Sequence, residues 1–200
     1  MHCAARQDGS SRPRAKRAAA WLAAAVLGLL LGLGRADLAG AAELELTSFD
    51  VLHNDDGVFL SYNVDLELSR SVDDALSKAV PLFFVAEAEV FRNRFYWRDQ
   101  RVGYAVRRWR IVFQPLTGTY RVTFDGGLSQ NYASRAEAFS AISASAHWKV
   151  AEGAQIEEGS RHYIEFSYRL DTAQLPRPMQ IGIGGQADWA MAVKRTQKIN

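Results

Sequence analysis

The chain has 200 residues, 24 Lys and Arg against 22 Asp and Glu, and 48% apolar residues. That is the make-up of an ordinary globular domain and excludes a disordered, collagenous or polytopic membrane chain. With one cysteine, Cys3, it is no disulfide scaffold.

The first 42 residues read as a targeting segment. Arg12, Arg14, Lys16 and Arg17 precede an uncharged apolar run, Ala18 to Leu33, which is shorter than the roughly 20 residues of a spanning helix. Ala39-Gly40-Ala41 then offers a small-residue cleavage site after Ala41 or Ala42. The expectation is a periplasmic domain at residues 43–200, released by cleavage, or held at the inner membrane and facing the periplasm if the segment stays. Residues 1–42 carry six basic and two acidic groups, so removing them turns the net charge of +2 into −2. The rest of the chain has no cysteine, which excludes a thiolate metal site and a cysteine nucleophile. Its net charge gives no argument for nucleic-acid binding.

Alternation dominates the chain beyond this segment. Val58, Leu60, Tyr62, Val64, Leu66 and Leu68 share one face of a strand. Leu44 and Leu46 take one parity and Phe49 and Val51 the other, which calls for a bulge near Ser48. Asn54-Asp55-Asp56-Gly57 is a hairpin turn between these strands. Ser71 to Val80 switches to helical spacing, with Ser71 and Asp74 as the cap signal and Pro81 as the stop. Leu82 to Phe113 reads as two long strands joined near Asp99 to Gly103, followed by a strand around Tyr120, Val122 and Phe124. Ser134-Arg135-Ala136-Glu137 is a capping box, with Phe139, Ile142 and Ala146 as the buried stripe of a second helix. His162, Ile164, Phe166, Tyr168 and Leu170 alternate cleanly. After the stiff Leu175-Pro176-Arg177-Pro178 connector, Met179, Ile181 and Ile183, then Ala187, Trp189, Met191 and Val193, keep one parity around Gly184-Gly185. The fold class expected is mainly β: an antiparallel β-sandwich of about seven or eight strands with two short connecting helices.

The window Phe91 to Arg110 stands out. It holds seven arginines among Phe91, Phe95, Tyr96, Trp97, Tyr104 and Trp109. Tyr96 and Trp97 should close a strand end on opposite faces, and Arg98-Asp99 should open the turn, with Asp99 capping amides and pairing with Arg98 or Arg101. Tyr96, Trp97, Arg98, Asp99, Arg101, Arg107 and Arg110 form the candidate interaction surface, suited to an anionic envelope component or an envelope protein. The plainer reading pairs the arginines with Glu87, Glu89 and Asp99 across the sheet while their stems cover the aromatics.

Other constellations are weaker. Glu87 and Glu89 share a strand face about 6.7 Å apart, a spacing open to an inverting glycosidase or to two solvated glutamates. Asp55-Asp56 and Asp73-Asp74 suit turns and caps. His53, His147 and His162 have no metal-ligand spacing, and no nucleophile elbow or phosphate loop is present. The sequence therefore calls for no catalytic residue, metal or cofactor. The expected function is a non-enzymatic binding or adaptor domain. A holder of lipid or another apolar ligand between the sheets, or an envelope hydrolase, are the alternatives.

Val80-Pro81-Leu82-Phe83-Phe84, Phe95-Tyr96-Trp97-Arg98-Asp99, Arg108-Trp109-Arg110, Leu116-Thr117-Gly118-Thr119-Tyr120, Leu175 to Gln180 and Asp188-Trp189 together resemble an exported proteobacterial family. It is called domain of unknown function 4390, also labelled proline-rich signal peptide protein. The Tyr-Trp-Arg-Asp block carries the resemblance most specifically. It implies an envelope protein with no assigned activity and no catalytic residues to carry over. Its genes lie beside an NtrY-type sensor kinase, which makes a sensor-kinase ectodomain a candidate partner. With 5 prolines this chain fits the proline-rich label poorly.

Overall fold

A computed structural model describes residues 44–183 and 186–199. The expected targeting segment, its cleavage site and the Gly184-Gly185 break lie outside the described residues. No described helix is long and apolar enough to cross a membrane.

Among the described residues, nine strands form two antiparallel sheets. Strands β1 (Leu44–Asn54), β2 (Gly57–Leu66) and β7 (Ala144–Glu152) make the smaller sheet in the order β1-β2-β7. The larger runs β6-β5-β4-β3-β8-β9. Its strands are β3 (Leu82–Arg92), β4 (Gln100–Gln114), β5 (Thr119–Phe124), β6 (Ser129–Tyr132), β8 (His162–Leu170) and β9 (Ala192–Ile199). Helices α1 (Arg70–Ser77), α2 (Arg135–Ser143) and α3 (Arg177–Ile183) join them. The chain is mainly β and sandwich-like, as its alternation implies.

Local chemistry accounts for the first hairpin. The β1–β2 register shifts between Leu46 and Ser48, which brings both halves of β1 onto one face. Asn54 Oδ1 accepts from the amides of Asp56 (3.0 Å) and Gly57 (3.2 Å). Val58, Leu60, Tyr62 and Val64 then turn inward and are buried.

Several sequence expectations shift. The first helix is capped by Ser69, whose Oγ accepts from Val72 N at 3.1 Å, and not by Ser71, whose hydroxyl reaches Asp188 at 2.8 Å. The second helix is capped by Ser134 as read, but it ends at Ser143. The chain passes straight into β7, so Ala146 is exposed on a strand and not buried on a helix. Strand β7 was hidden because bulges interrupt its pairing with β2, and His147 sits at φ 52. Strand β6 is four mostly polar residues. Met179 to Ile183 is helical and not extended. Pro178 falls in the first turn of α3, where its missing N–H costs nothing, and Met179 and Ile183 then share one half-buried face. Ala187–Trp189 is a 3-10 turn, so the last strand begins only at Ala192.

The space between the sheets is filled by rings. Tyr168 is fully buried, with Tyr62, Phe84 and Trp109 at centroid distances of 6.3, 6.1 and 5.8 Å. Phe166 packs on Tyr62 at 4.7 Å and on Phe49 at 5.5 Å. The Tyr168 hydroxyl donates to the Ile142 carbonyl at 3.3 Å, at the end of α2. Gly103, expected in a turn, lies inside β4 opposite Val90, and the sheets close there. A Cβ on it would stand 2.6 Å from Ala151 Cβ and 2.7 Å from the Val150 carbonyl oxygen.

Two substitutions test this packing by urea denaturation. Tyr168→Phe should cost about 1 to 2 kcal/mol, since it leaves the Ile142 carbonyl unpaired in the core. Gly103→Ala should cost about 1 to 3 kcal/mol through overpacking against β7.

Candidate interaction site

Strand β3 leaves the sheet at Arg92 and β4 enters at Gln100, so the connection is residues 93–99 and not the expected stretch at Asp99 to Gly103. Its base is heavily bonded. The Asn93 amide donates to the Arg161 carbonyl at 2.8 Å, and Arg92 donates to Gln100 Oε1 at 2.7 Å while pairing with Glu157. Arg94 also donates to Gln100 Oε1. Asp99 is turned back under the loop: Oδ1 accepts from Arg94 N at 3.1 Å and Oδ2 from the Tyr163 hydroxyl at 2.8 Å. Tyr163 stacks on Phe91 with a centroid distance of 5.3 Å. Burial, and after it the Asp99 carboxylate, push the Tyr163 hydroxyl up to about 12, so it remains a donor at neutral pH.

On this braced base stand three consecutive aromatic side chains. Phe95 is 89% exposed, Tyr96 85% and Trp97 80%. Phe95 and Tyr96 meet edge to face at 4.6 Å. Isolated exposed apolar residues are ordinary, whereas these three large rings are consecutive at one tip. Arg98 follows them and makes no ion pair among the described residues.

The structure divides the seven residues singled out in the sequence. Tyr96, Trp97 and Arg98 form the tip, and all three lie in the loop, so Tyr96 and Trp97 are not on opposite faces of a strand end. Asp99 braces it through Arg94 and Tyr163, and no ion pair joins it to Arg98 or Arg101. Arg101 is on the outer face of the larger sheet, paired with Glu89 at 2.6 Å and lying over the Tyr104 ring. Arg107 shares the inner face with Ala86, donates to Ser145 Oγ at 2.7 Å and lies 5.0 Å over the Trp148 ring. Arg110 is nine positions beyond Arg101 on β4, about 30 Å along the strand. Phe95, the most exposed of the three rings, stands outside that seven-residue set, although three consecutive aromatics at positions 95–97 are a signal that could have found it.

The other candidates fall into structural roles. Glu89 pairs with Arg101, as the plainer cross-strand reading has it, whereas Glu87 pairs at 2.5 Å with Arg169 of β8, outside the Phe91 to Arg110 window. His147 is stacked on Phe59 at 4.1 Å on the outer face of the smaller sheet. His162 is buried beside a groove of about 580 Å³ that His53, Asp55 and Glu157 also line. Its Nδ1 is 3.2 Å from the Ser160 carbonyl oxygen, and its Nε2 has no partner among the described residues. Burial holds its pKa below 6.5, with Arg92 and His53 adding to the effect and the Ser160 carbonyl opposing it. No group of three or more His, Cys, Asp or Glu among the described residues is arranged to hold a metal ion.

The family model described as Domain of unknown function (DUF4390) matches residues 41–199. The chain belongs to this family. In this DUF4390 chain the match takes in all nine strands, and the tip with them. No curated protein and no solved structure matches the chain.

Two measurements test the site. Asp99→Ala removes the acceptor of both the Arg94 amide and the Tyr163 hydroxyl. Hydrogen exchange at Arg94 should accelerate about tenfold or more, while amides in the middle of β3 keep their protection. For His162, the unfolded chain takes up a proton near 6.5 and the folded one only at lower pH, so stability falls as the pH drops through that range. In His162→Gln the slope of unfolding free energy between about pH 6.5 and 5 should flatten. An unchanged slope would show that His162 titrates normally in the fold.

Proposed function

We propose that this chain is an exported, non-catalytic binding domain of the cell envelope that engages an envelope component through the β3–β4 tip. The observation that carries the reading is the run Phe95-Tyr96-Trp97, 80 to 89% exposed on a loop fixed beneath by Asp99 and Tyr163. Rings exposed to this degree contribute nothing to the core, and the bonds below limit the entropy lost when they are covered. Tyr, Trp and Arg are the side chains that dominate binding hot spots. Arg12 to Arg17 followed by the apolar run Ala18 to Leu33 supports export to the periplasm. Between the protein and the lipid components of the envelope, a sensor-kinase ectodomain is the protein partner that the family's genes suggest. The rings that fill the space between the sheets argue against an interior ligand holder. The ion pairs of Glu87 and Glu89 argue against a carboxylate hydrolase.

In-cell photo-crosslinking tests this reading. A crosslinking residue at position 97 should capture one envelope component reproducibly, whereas one at Leu116, fully exposed in the β4–β5 turn, should not. The same unselective pattern from both positions would overturn it. Arg98→Ala should weaken capture with the thermal midpoint unchanged. Arg107→Ala should lower that midpoint by roughly 3 to 10 °C, because it empties a contact between the sheets.

A further inference from the structure

We propose that the tip is a membrane-interface wedge: Phe95, Tyr96 and Trp97 enter the headgroup layer of an anionic lipid bilayer while Arg94 and Arg98 stay at its phosphates. This deepens the binding reading above and rests on it.

Shape favours lipid over protein. The three rings stand 80 to 89% exposed on a short loop, which suits a deformable layer better than a rigid partner with a matching pocket. Three aromatic side chains cover about 450 to 750 Å² in total, below the roughly 800 Å² that each partner gives to a stable protein interface. The tip's flanks do not enlarge the apolar area, since Arg94 precedes Phe95 and Arg98 follows Trp97. A bilayer interface asks for no more than this. Tyr and Trp settle at headgroup depth because one end of each ring system is apolar and the other hydrogen-bonds.

Charge points the same way. Residues 93–98 hold two arginines and no acid. The next carboxylate along the chain, Asp99, faces inward to the Arg94 amide and Tyr163, and Glu157 is paired with Arg92. The surface presented beyond the rings is therefore cationic on a domain whose residues 43–200 carry a net charge of −2. Long arginine stems can lie beside the rings and keep their guanidinium groups at phosphate level.

The test uses the full chain with vesicles of phosphatidylethanolamine and phosphatidylglycerol, and with phosphatidylcholine vesicles as the neutral reference. Both sets carry acyl chains brominated near the headgroup. The difference in emission between the wild type and Trp97→Phe isolates Trp97, and the rest of the chain, including residues 1–43, is common to both proteins. With anionic vesicles the Trp97 component should shift to the blue and be quenched by bromine. In Phe95→Ser the Trp97 component should lose most of its blue shift and bromine quenching, a change that residues 1–43 cannot produce. Arg94→Gln with Arg98→Gln should reduce the preference for anionic vesicles, and this difference should shrink at high salt. All four positions are exposed, so far-UV circular dichroism should be unchanged.

A Trp97 component that stays open to aqueous quencher with both vesicle types would overturn the lipid proposal. If position 97 then crosslinks a single envelope protein in cells, the binding reading stands with a protein partner. If it crosslinks nothing selectively, both fail.

Discussion

The hydroxyl of Tyr168 ties the fold together at its centre. Helix α2 ends without a left-handed capping residue because the chain runs directly into β7, and its last carbonyls need donors from elsewhere. Tyr168, from the middle of the opposite sheet, supplies one to Ile142. That bond sets the height of α2 above the larger sheet and, through the uninterrupted backbone, the start of β7. The same ring gives Tyr62, Phe84 and Trp109 a shared packing surface. Burial drives its pKa far above the ordinary tyrosine value, so the donor is not lost within the accessible pH range.

A second polar device works at the side of this core. Arg107 reaches between the sheets to Ser145 and covers Trp148. It stands close to the buried Tyr62 hydroxyl, which has no hydrogen-bond partner among the described residues. Burial raises the pKa of that hydroxyl, and Arg107 offsets part of the rise. An arginine on an inward-facing parity is costly unless bonded. Here the guanidinium keeps one contact with a hydroxyl and one with an indole face, and the residue remains half-buried. It therefore belongs to stability, although in the sequence it is indistinguishable from its neighbours Arg108 and Arg110.

The legible parts of the fold were those where one physical signal acts alone. Strands β2 and β8 alternate without interruption, and their inward residues from Val58 to Val64 and from His162 to Leu170 are buried, whereas Leu66 is half-buried and Leu68 lies beyond the end of β2. The bulge near Ser48 was forced by a change of parity. The signal failed where backbone geometry or a distant partner intervened. Bulges scramble the period of β7, and Pro178 makes a helix turn from a segment whose apolar residues also fit a strand. Gly103 looks like a turn residue and is instead the point where two sheets touch. The tip was half legible. Its aromatic and arginine content was plain, but the bonds that fix it run to Tyr163, 64 residues on, and no local pattern announces such a pairing.

The two ends of the sandwich have different traffic. Strand β1 starts at Leu44 beside the β2 end at Leu66 and finishes at Asn54, next to the Gly153 loop. That loop leads to Glu157, the partner of Arg92 at the base of the tip. Leu44 thus lies at the end remote from the tip, about 33 Å away along ten strand residues. If both ends were held, a pull between them would run along β1 and load the β1–β2 hydrogen bonds all at once and sideways, not one after another as in unzipping. A sheet resists most strongly in that direction.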